Sequence, residues 1–328
     1  MPDAKSFLQS LSKINQYNFE THALELFHWQ AKYNPVYRTY IEELGVSSQQ
    51  IHSLSAIPFL PISFFKQHCI KTNEWKAEKV FESSGTTGMQ TSKHFVKDLN
   101  FYQVHSKKLF EEVFGSTKDM HILALLPSYL ERGTSSLVGM VSHLIESTNS
   151  PYSGFYLHNY QQLADTLIGL KNNPGKTILF GVTFALLDLA EQFDLDLSYV
   201  TLIETGGMKG RREEITRGEL YKMLKTRLNF KDIYSEYGMT ELLSQAYGKN
   251  GSFKAPGSME IFIREVNDPF SFTTIGKTGG VNVVDLANVH TCAFIETQDL
   301  GRKFEDGTFE VLGRFDNSEL RGCNLLVS

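Results

Sequence analysis

The stretch TILFGVTFALLDLAEQFDLDLSYVTLIET, at residues 177–205, decides the fold. Its first six residues form an apolar run typical of a buried strand, and residues 183–193 place apolar side chains at the three- and four-residue spacing of a helix. The segment 199–205 then returns to a strand-like run. Two short strands separated by a helix of this length indicate a mostly parallel sheet covered by helices on both faces, so the predicted class is α/β.

The same alternation continues on both sides of this stretch. Residues 1–72 look mainly helical, although two prolines within 57–65 forbid a continuous helix there. The other elements predicted are strands at 78–81, at 121–127 and from 231, and helices at 101–114, 135–145 and 218–228. After Gly248, short β-like runs separated by glycine and aspartate turns predict a small β-rich subdomain. We therefore divide one continuous unit into a helical segment at 1–72, an α/β core at 73–248 and a β-rich part at 249–328.

Composition excludes several classes of protein. The 328 residues carry a formal net charge of −5 without a long basic run, so no nucleic-acid partner is expected. The three cysteines, Cys69, Cys292 and Cys323, are too scattered for a disulfide framework or a zinc site, which fits a reducing cytoplasm. No apolar run approaches the length of a membrane span and the N-terminus lacks a signal-peptide core. We therefore expect a cytoplasmic protein with no membrane span.

A loop rich in glycine and hydroxyl side chains lies within FESSGTTGMQTSKHF, residues 81–95. Glycine allows backbone angles that other residues resist, and serine and threonine compete with regular structure for backbone hydrogen bonds. Such a loop offers many N–H and O–H donors, and phosphate is the anion that loops of this kind usually bind. The residues fit neither the P-loop nor the dinucleotide fingerprint. Taken alone, the loop fits a flexible surface turn somewhat better than an anion site.

Two further predicted strands end in glycine with polar neighbours. Thr205-Gly206-Gly207 follows one of them, and Glu236-Tyr237-Gly238 follows the next strand along the chain. Ligands of open α/β sheets bind beyond the carboxyl ends of the strands. The glycine-hydroxyl loop also follows a predicted strand, at 78–81, so we expect all three strand ends to contribute to one binding site.

Four sequence elements in a fixed order resemble the signatures of the adenylate-forming enzymes, which join a carboxylic acid to AMP. The first is Ser83–Gly88, SSGTTG, and the second is Tyr237–Glu241, YGMTE. The family's Thr-Gly-Asp before a turn stands here as Thr297-Gln298-Asp299, with glutamine in place of glycine. The fourth is Gly313–Asp316, GRFD. The resemblance implies the α/β catalytic domain of these enzymes, and hence a nucleotide-binding role for the core at 73–248.

The resemblance also implies ATP and Mg²⁺ as cofactors and gives each element a role. The phosphates would be held by backbone and hydroxyl groups of the loop, at Ser83, Ser84, Gly85, Thr86, Thr87 and Gly88. Glu241 is a hard oxygen ligand suited to Mg²⁺, and Thr240 would hydrogen-bond the α-phosphate. Arg314 would bridge the ribose and the transferred group. Catalysis would come from charge neutralisation and positioning rather than from a protein acid or base.

The nucleoside would be held at the strand ends. Tyr237 offers an aromatic face to adenine, and the small residues around it, Gly206, Gly207 and Gly238, let the backbone approach the base. Asp299 would accept hydrogen bonds from the ribose hydroxyls, as acidic residues do in other nucleotide sites.

A narrower resemblance, from about Phe59 to the end of the chain, is to the long-chain-fatty-acid–protein ligases, the acyl-protein synthetases of the LuxE family. It is carried by residues 125–145, 204–220 and 237–248. In that family an acyl group, activated as acyl-AMP, passes to a cysteine near the C-terminus and then to a partner reductase. The resemblance implies a fatty-acid substrate, Cys323 as the acyl acceptor, and an acyl reductase or acyl carrier as partner. The mobile C-terminal domain of the CoA-forming relatives, with its catalytic lysine, is expected to be absent.

Other interpretations remain open at this point. Cys323 is also consistent with a small buried hydrophobe. The chain could be an acyl- or aryl-CoA ligase that takes its lysine from another chain, a transferase of a biosynthetic cluster, or a non-catalytic acyl-binding subunit. Residues 133–141 and 181–187 are candidates for lining an acyl channel and are equally consistent with ordinary helix packing.

Overall fold

A twelve-stranded sheet forms the centre of the computed structural model, which describes residues 4–83, 90–127, 133–206 and 215–315. Buried strands supply its core residues, as at Ile178–Phe180 and Val281–Val284. The strands in chain order are β1 (Leu60–Pro61), β2 (Lys79–Glu82), β3 (Lys93–Val96), β4 (Met120–Leu125), β5 (Gly154–Phe155), β6 (Lys176–Gly181), β7 (Val200–Glu204), β8 (Asp232–Tyr237), β9 (Ala246–Lys249), β10 (Ser252–Lys254), β11 (Met259–Arg264), β12 (Gly279–Asp285), β13 (Phe294–Lys303) and β14 (Thr308–Arg314).

Helices cover this sheet and form most of the N-terminal segment. They are α1 (Ala4–Ser10), α2 (Phe19–Tyr33), α3 (Pro35–Glu43), α4 (Phe64–Gln67), α5 (Leu99–Phe114), α6 (Ser136–Glu146), α7 (Tyr160–Leu170), α8 (Thr183–Gln192) and α9 (Arg217–Leu228). Local chemistry explains where several of them begin. The side chain of Asp98 accepts a hydrogen bond from the backbone of Phe101 at the start of α5, and Thr216 and Glu219 form a capping box at the start of α9.

The sheet has a parallel half and an antiparallel half. Its order is β11-β12-β13-β14-β10-β9-β8-β7-β6-β4-β5, with β1 beside β13. The strands from β5 to β8 are paired in parallel, while β8 with β9, and all pairs on to β11, are antiparallel. The predicted α/β class and the short strands after Gly248 are confirmed. The division of the chain at residues 72 and 248 stays a prediction. Within the structure, hydrogen bonds join the strands on both sides of Gly248 in one sheet.

One expectation about the glycine-hydroxyl loop is wrong. The strand before it, β2, does not belong to the large sheet; it pairs antiparallel with β3 in a separate two-stranded ribbon, Lys79–Glu82 against Lys93–Val96. The sequence could not distinguish the two arrangements, because a short strand followed by a loop looks the same in either sheet. The strand that leads into the loop therefore lies outside the parallel sheet, and His94 of the ribbon joins it to the turn after β8 through Thr240.

A second expectation, a turn directly after Thr297-Gln298-Asp299, is also wrong, because β13 continues to Lys303. These residues lie within the ten-residue strand β13, and an irregularity in the pairing follows at Leu300–Gly301. Asp299 faces Arg314 across the β13–β14 ladder. The third and fourth sequence elements are thus neighbours by strand pairing rather than by loop contact.

Candidate functional site

The two ends of the glycine-hydroxyl loop are tied together at the tip of the ribbon. The backbone N–H of Ser83 donates to the carbonyl of Ser92 at 3.1 Å, and the N–H of Ser92 donates to the hydroxyl of Ser83 at 2.9 Å. Of the six residues expected to hold phosphate, Ser83 is described; Ser84, Gly85, Thr86, Thr87 and Gly88 lie outside the described residues. The position of the loop's two ends is therefore fixed by reciprocal hydrogen bonds.

The turn that carries Thr240 and Glu241 follows β8 and is held from the ribbon side by a histidine. His94 of β3 contacts the carbonyl of Thr240 through Nδ1 at 2.7 Å and the hydroxyl of Thr291 through Nε2 at 3.1 Å. Burial lowers the pKa of His94 to about 4, so the ring is neutral at pH 7. A carbonyl can only accept, so Nδ1–H donates to Thr240 and Nε2 accepts from Thr291.

The other side of this turn is held by the buried end of β12. Both oxygens of Asp285 accept hydrogen bonds from the turn, including those from the backbone of Leu243 at 2.8 Å and of Ser244 at 2.9 Å. The amide of Asn288 donates to the carbonyl of Glu241 at 2.8 Å. The backbone around Glu241 is therefore bonded on both sides before any ligand is present.

The carboxyl group of Glu241 is buried beside the end of the loop. Its residue is 4% exposed, and the hydroxyl of Ser92 donates a hydrogen bond to it. Burial raises the pKa of Glu241; the Ser92 bond and the charge of Arg314 oppose that rise, and the charge of Asp299 adds to it. The hydrogen bond and the positive charge near Glu241 do not fully offset the cost of burying its negative charge, and a bound cation would reduce that cost. Glu241 thus fits the magnesium role, since Mg²⁺ takes one or two carboxylates together with phosphates and water.

Asp299 joins the second, third and fourth sequence elements. Its Oδ1 accepts from Nε of Arg314 at 3.1 Å, and its Oδ2 accepts from the hydroxyl of Tyr237 at 3.1 Å. Asp299 is 5% exposed, whereas 62% of the Arg314 side chain is exposed. The buried carboxylate therefore orients an arginine whose outer nitrogens face solvent, where an anionic ligand can be reached.

Tyr237 is more enclosed than its expected adenine-stacking role suggests. It is 7% exposed and its ring packs edge-on against Phe309, at 5.5 Å between ring centroids, and against Phe253 at 5.9 Å. Burial and the Asp299 carboxylate raise the pKa of its hydroxyl, which stays a donor. Stacking on adenine remains a prediction, and the structural role of the residue is to connect β8 to Asp299.

Gly206 lies beyond the carboxyl end of β7 in a conformation that favours glycine. Its φ is +70°, and its N–H donates to Oε1 of Glu204 at 2.7 Å. The same Oε1 accepts from the hydroxyl of Thr183 at the start of α8, at 2.5 Å. The bond to Glu204 fixes the chain where it leaves the sheet. Gly207, the other glycine expected there, lies outside the described residues.

The structure thus brings together Ser83, Thr240, Glu241, Tyr237, Asp299 and Arg314. Hydrogen bonds run from Ser83 through Ser92 to Glu241, and others join Asp299 to Arg314 and Tyr237. The charges of Arg314 and Asp299 act on the Glu241 carboxyl group. Gly238 follows β8 at the same place. Their assigned roles stay predictions. Cys323 lies outside the described residues. Of the cysteines described, Cys292 is buried with its pKa raised by burial to about 12, and Cys69 is exposed.

Sequence reasoning missed the residues that position this cluster. Ser92, His94 and Asp285 belong to none of the four signatures, and a lone histidine in a strand carries no signal of its own. Only the structure shows that residues 92, 94 and 96 are buried while 93 is exposed, as expected for a strand with one face inward. A polar residue on the inward face needs a buried partner, and for His94 that partner is the turn at Thr240.

No protein-family model matches this sequence, and no curated protein matches it. Solved structures do match its fold. The ATP-bound MatB from Rhodopseudomonas palustris is 15% identical with a TM-score of 0.53, and the match covers 72% of this chain and 47% of that one. The chain spans about half the length of MatB.

Greater coverage is found with 2-hydroxyisobutyryl-CoA ligase in complex with 2-HIB-AMP and CoA. It is 14% identical with a TM-score of 0.68, and the match covers 97% of this chain and 73% of that one. An open conformation of the same enzyme matches over 90% of this chain with a TM-score of 0.67. The fold is therefore that of the domain shared by adenylate-forming enzymes.

Among the described residues, no helix is long and apolar enough to cross a membrane. The same residues contain no cluster of three or more histidine, cysteine, aspartate or glutamate side chains that would form a metal site by themselves.

Proposed function

We propose that this chain activates a carboxylic acid with ATP, releasing pyrophosphate, and forms an acyl-adenylate. The observation that carries the proposal is the cluster of Ser83, Ser92 and Glu241, joined by hydrogen bonds, with the Asp299–Arg314 pair within electrostatic range of Glu241. It joins the ends of a donor-rich loop, a buried carboxylate and an exposed arginine, which are the groups needed for phosphates, a metal ion and a transferred anion. The fold shared with the ATP-bound MatB supports the same reaction.

In the proposed reaction, an oxygen of the substrate carboxylate attacks the α-phosphorus of ATP and the bond to the β-phosphate breaks. Thr240 and Arg314 would hold the α-phosphate and the carboxylate in line, and Glu241 would hold Mg²⁺. When bound, the ion would supply neutralisation of the phosphate charge. The protein contributes positioning and fixed charge, in a turn already held by hydrogen bonds, and no protein proton is required.

We further propose that the acyl group passes to the thiol of Cys323, as the resemblance to the long-chain-fatty-acid–protein ligases implies. The thiolate attacks the acyl carbonyl, AMP leaves, and the thiol proton goes to solvent. An acyl reductase or carrier protein would then receive the acyl group. A fatty acid is the substrate that the resemblance implies.

Acyl transfer to coenzyme A is a second candidate for this step. The structural match to a CoA ligase that was solved with 2-HIB-AMP and CoA favours it. The two acceptors differ in their product, since one leaves a thioester on the chain and the other releases a thioester into solution.

The test is incubation with ATP, Mg²⁺ and a panel of carboxylic acids, followed by intact-mass measurement and pyrophosphate-exchange assay. An added mass of one acyl group that hydroxylamine removes, and that Cys323→Ser abolishes while exchange persists, supports transfer to the cysteine. Acyl-CoA formation that Cys323→Ser leaves unchanged replaces it with the CoA acceptor. Absence of exchange with every acid contradicts the proposed activation itself.

A further inference from the structure

Glu236, next to the end of β8, is an acidic side chain that the site described above does not use. Its carboxyl group is surrounded by protein, yet the residue keeps part of its surface open to solvent. We call the surroundings of this carboxyl group, enclosed by protein but still reached by solvent, the recess. Among the described residues Glu236 has no hydrogen-bond or ion-pair partner. Burial, followed by the nearby charge of Glu204, raises its pKa to about 8.

Two unpartnered polar atoms lie on the same face of the sheet as Glu236. Strand pairing ends at Glu204 opposite Ser235, so Thr205 comes next beside Glu236, with its side chain on the same face. Its Oγ1 is buried, and it has no hydrogen-bond partner within the part of the chain that the structure describes.

Gln245 provides the second of these atoms. Strand pairing between β8 and β9 ends at Tyr237 opposite Ala246, which brings Gln245 beside Gly238. A Cβ added to Gly238 would collide with a carboxyl oxygen of Glu236 and lie 3.2 Å from Cγ of Gln245. Gln245 is 5% exposed, and its Oε1 has no partner in the described ranges. Because Gly238 has no side chain, the carboxyl group of Glu236 can lie against the side chain of Gln245.

The walls of the recess come from α5, α6 and β9. The hydroxyl of Tyr102 donates to the carbonyl of Ser136 at 2.9 Å, and that of Tyr247 contacts Sδ of Met140 at 3.7 Å. The charge of Glu236 contributes to raising the pKa of both tyrosines, which places it within electrostatic range of each. Both hydroxyls are engaged elsewhere, so they do not supply the donor that Glu236 lacks.

We infer that this recess takes a protonated amine of the carboxylic acid substrate, with Glu236 as its counter-charge and Gln245 and Thr205 as additional acceptors. The inference rests on the proposed activation of a carboxylic acid and narrows the substrate class to amino-substituted acids, against the plain fatty acid implied by the resemblance. The recess adjoins Tyr237 and Gly238, so it lies within reach of a substrate whose carboxylate is near Thr240.

The chemistry of the three groups favours this occupant. Once Glu236 has lost its proton, its carboxylate and the amide oxygen of Gln245 only accept, and the hydroxyl of Thr205 can accept as well, so a ligand of this ionised form must supply donors. A primary ammonium group has three N–H donors and a positive charge that offsets the unpaired carboxylate. A hydrocarbon tail in the same place would leave a carboxyl group buried without a partner, which is unfavourable.

The test uses pairs of acids that differ at one position, where one member carries an ammonium group and the other a methyl group of similar size. Pyrophosphate exchange is measured with 4-aminobutanoate and pentanoate, 6-aminohexanoate and heptanoate, 8-aminooctanoate and nonanoate, and 2-aminobutanoate and 2-methylbutanoate. We expect at least one amino member to exceed its partner at least tenfold in kcat/KM, because a site built around hydrogen-bond acceptors rejects an analogue that lacks the donor. The matching hydroxy acids are measured alongside.

The variant is Glu236→Gln, with Glu112→Gln on the exposed face of α5 as its matched control. For the preferred amino acid, we expect Glu236→Gln to lower kcat/KM at least tenfold, while kcat/KM for the alkyl partner changes less than twofold.

A pH profile gives a second measurement. In the wild type, kcat/KM for the amino acid should rise from pH 6 to pH 8 as Glu236 loses its proton, and Glu236→Gln should lose this dependence. Folding of each variant is checked by circular dichroism.

Three results would overturn the inference and leave the proposed activation standing: preference for the alkyl member of every pair, preference for the hydroxy acids, or an amino-acid preference that Glu236→Gln leaves intact. If Glu236→Gln does not fold, the pH profile of the wild type decides, since a flat profile contradicts the role of Glu236. Absence of exchange with every acid removes the proposed activation and this inference with it.

Discussion

At the scale of single residues, one substitution of the buried Glu241 can show separately what its charge contributes to activity and to stability. Replacing it with glutamine keeps the shape and removes the charge proposed to hold Mg²⁺. We expect Glu241→Gln to lower pyrophosphate exchange by about 100-fold, in the range of losing one electrostatic contact of an active site. Because burial raises the pKa of Glu241, the uncharged amide should leave the free energy of unfolding unchanged or raise it by about 1 kcal/mol.

Exchange assays and urea unfolding at pH 7.5 measure the two effects. Glu112→Gln, the same replacement on an exposed helix face, serves as the control and should change neither. If Glu241→Gln unfolds the chain or retains exchange, Glu241 is a structural residue and the magnesium role is wrong.

Glu236 gives a second residue-scale prediction, one that needs no substrate. Its pKa is about 8 in the folded chain against 4.5 for an ordinary glutamate, so between these values the folded state keeps a proton that the unfolded state has lost. Stability from this group is therefore present at low pH and lost as pH rises toward 8. The unfolding free energy of the wild type relative to Glu236→Gln should fall by up to about 1.4 kcal/mol per pH unit and level off above pH 8.

Urea unfolding of both proteins at pH 5, 6, 7, 8 and 9 measures this difference. Subtracting the variant removes the contributions of other buried acids, such as Glu241 and Asp285, that titrate in both proteins. Parallel curves over the whole range would contradict the raised pKa.

At the scale of elements, the sequence predicted most helices and strands because the helices bury one face and the central strands are continuous apolar runs, such as β6 and β7. The prediction of a helix at 183–193 succeeded because its apolar residues recur at helical spacing, and α8 spans Thr183–Gln192. The partner of each strand was harder to predict. Nothing local to residues 79–82 indicates that β2 pairs with β3, and nothing at Thr297 indicates that the motif lies inside a long strand, because pairing depends on residues distant in sequence.

The connection after β7 carries a prediction at this scale. A Cβ at Gly206 would meet no atom within 4 Å, so Gly206→Ala tests the backbone alone. With φ at +70°, alanine should cost about 1–2 kcal/mol of stability. Gly169→Ala, in α7 and also with open space, should instead stabilise by about 0.5–1 kcal/mol because glycine is a poor helix former. Equal effects from the two substitutions, measured by urea unfolding, would contradict the left-handed conformation at Gly206.

At the scale of the whole molecule, the site is a meeting of distant segments, and this limits what sequence alone can predict. The four signatures identify Glu241, Asp299 and Arg314, because these residue types recur in a recognisable order. The residues that hold the turn around Glu241 are His94, 146 positions before Thr240, and Asp285, 44 positions after Glu241. They could not be predicted, since a buried polar group reveals its partner only once the chain is folded.

One sheet continues through the core and the β-rich part, and α2 is hydrogen-bonded to it through Gln30 and the backbone of Ala293 at 2.9 Å. We therefore expect one cooperative unfolding transition in urea. Fluorescence of Trp29 and Trp75, both in the N-terminal quarter of the chain, should change at the same urea concentration as the far-ultraviolet circular dichroism of the whole molecule. Two separate midpoints would mean that the N-terminal helices unfold independently of the sheet.

The two-stranded ribbon of β2 and β3 has a consequence for engineering. In the described part of the chain, β2 and β3 are paired as strands only with each other. The loop that joins them can therefore be exchanged without removing a strand pair of the large sheet. A transplanted tip of different length or charge between Glu82 and Lys93 should leave folding intact, provided that Ser92 and His94 remain. The ribbon is therefore the natural place to graft a loop with a different anion preference onto this scaffold.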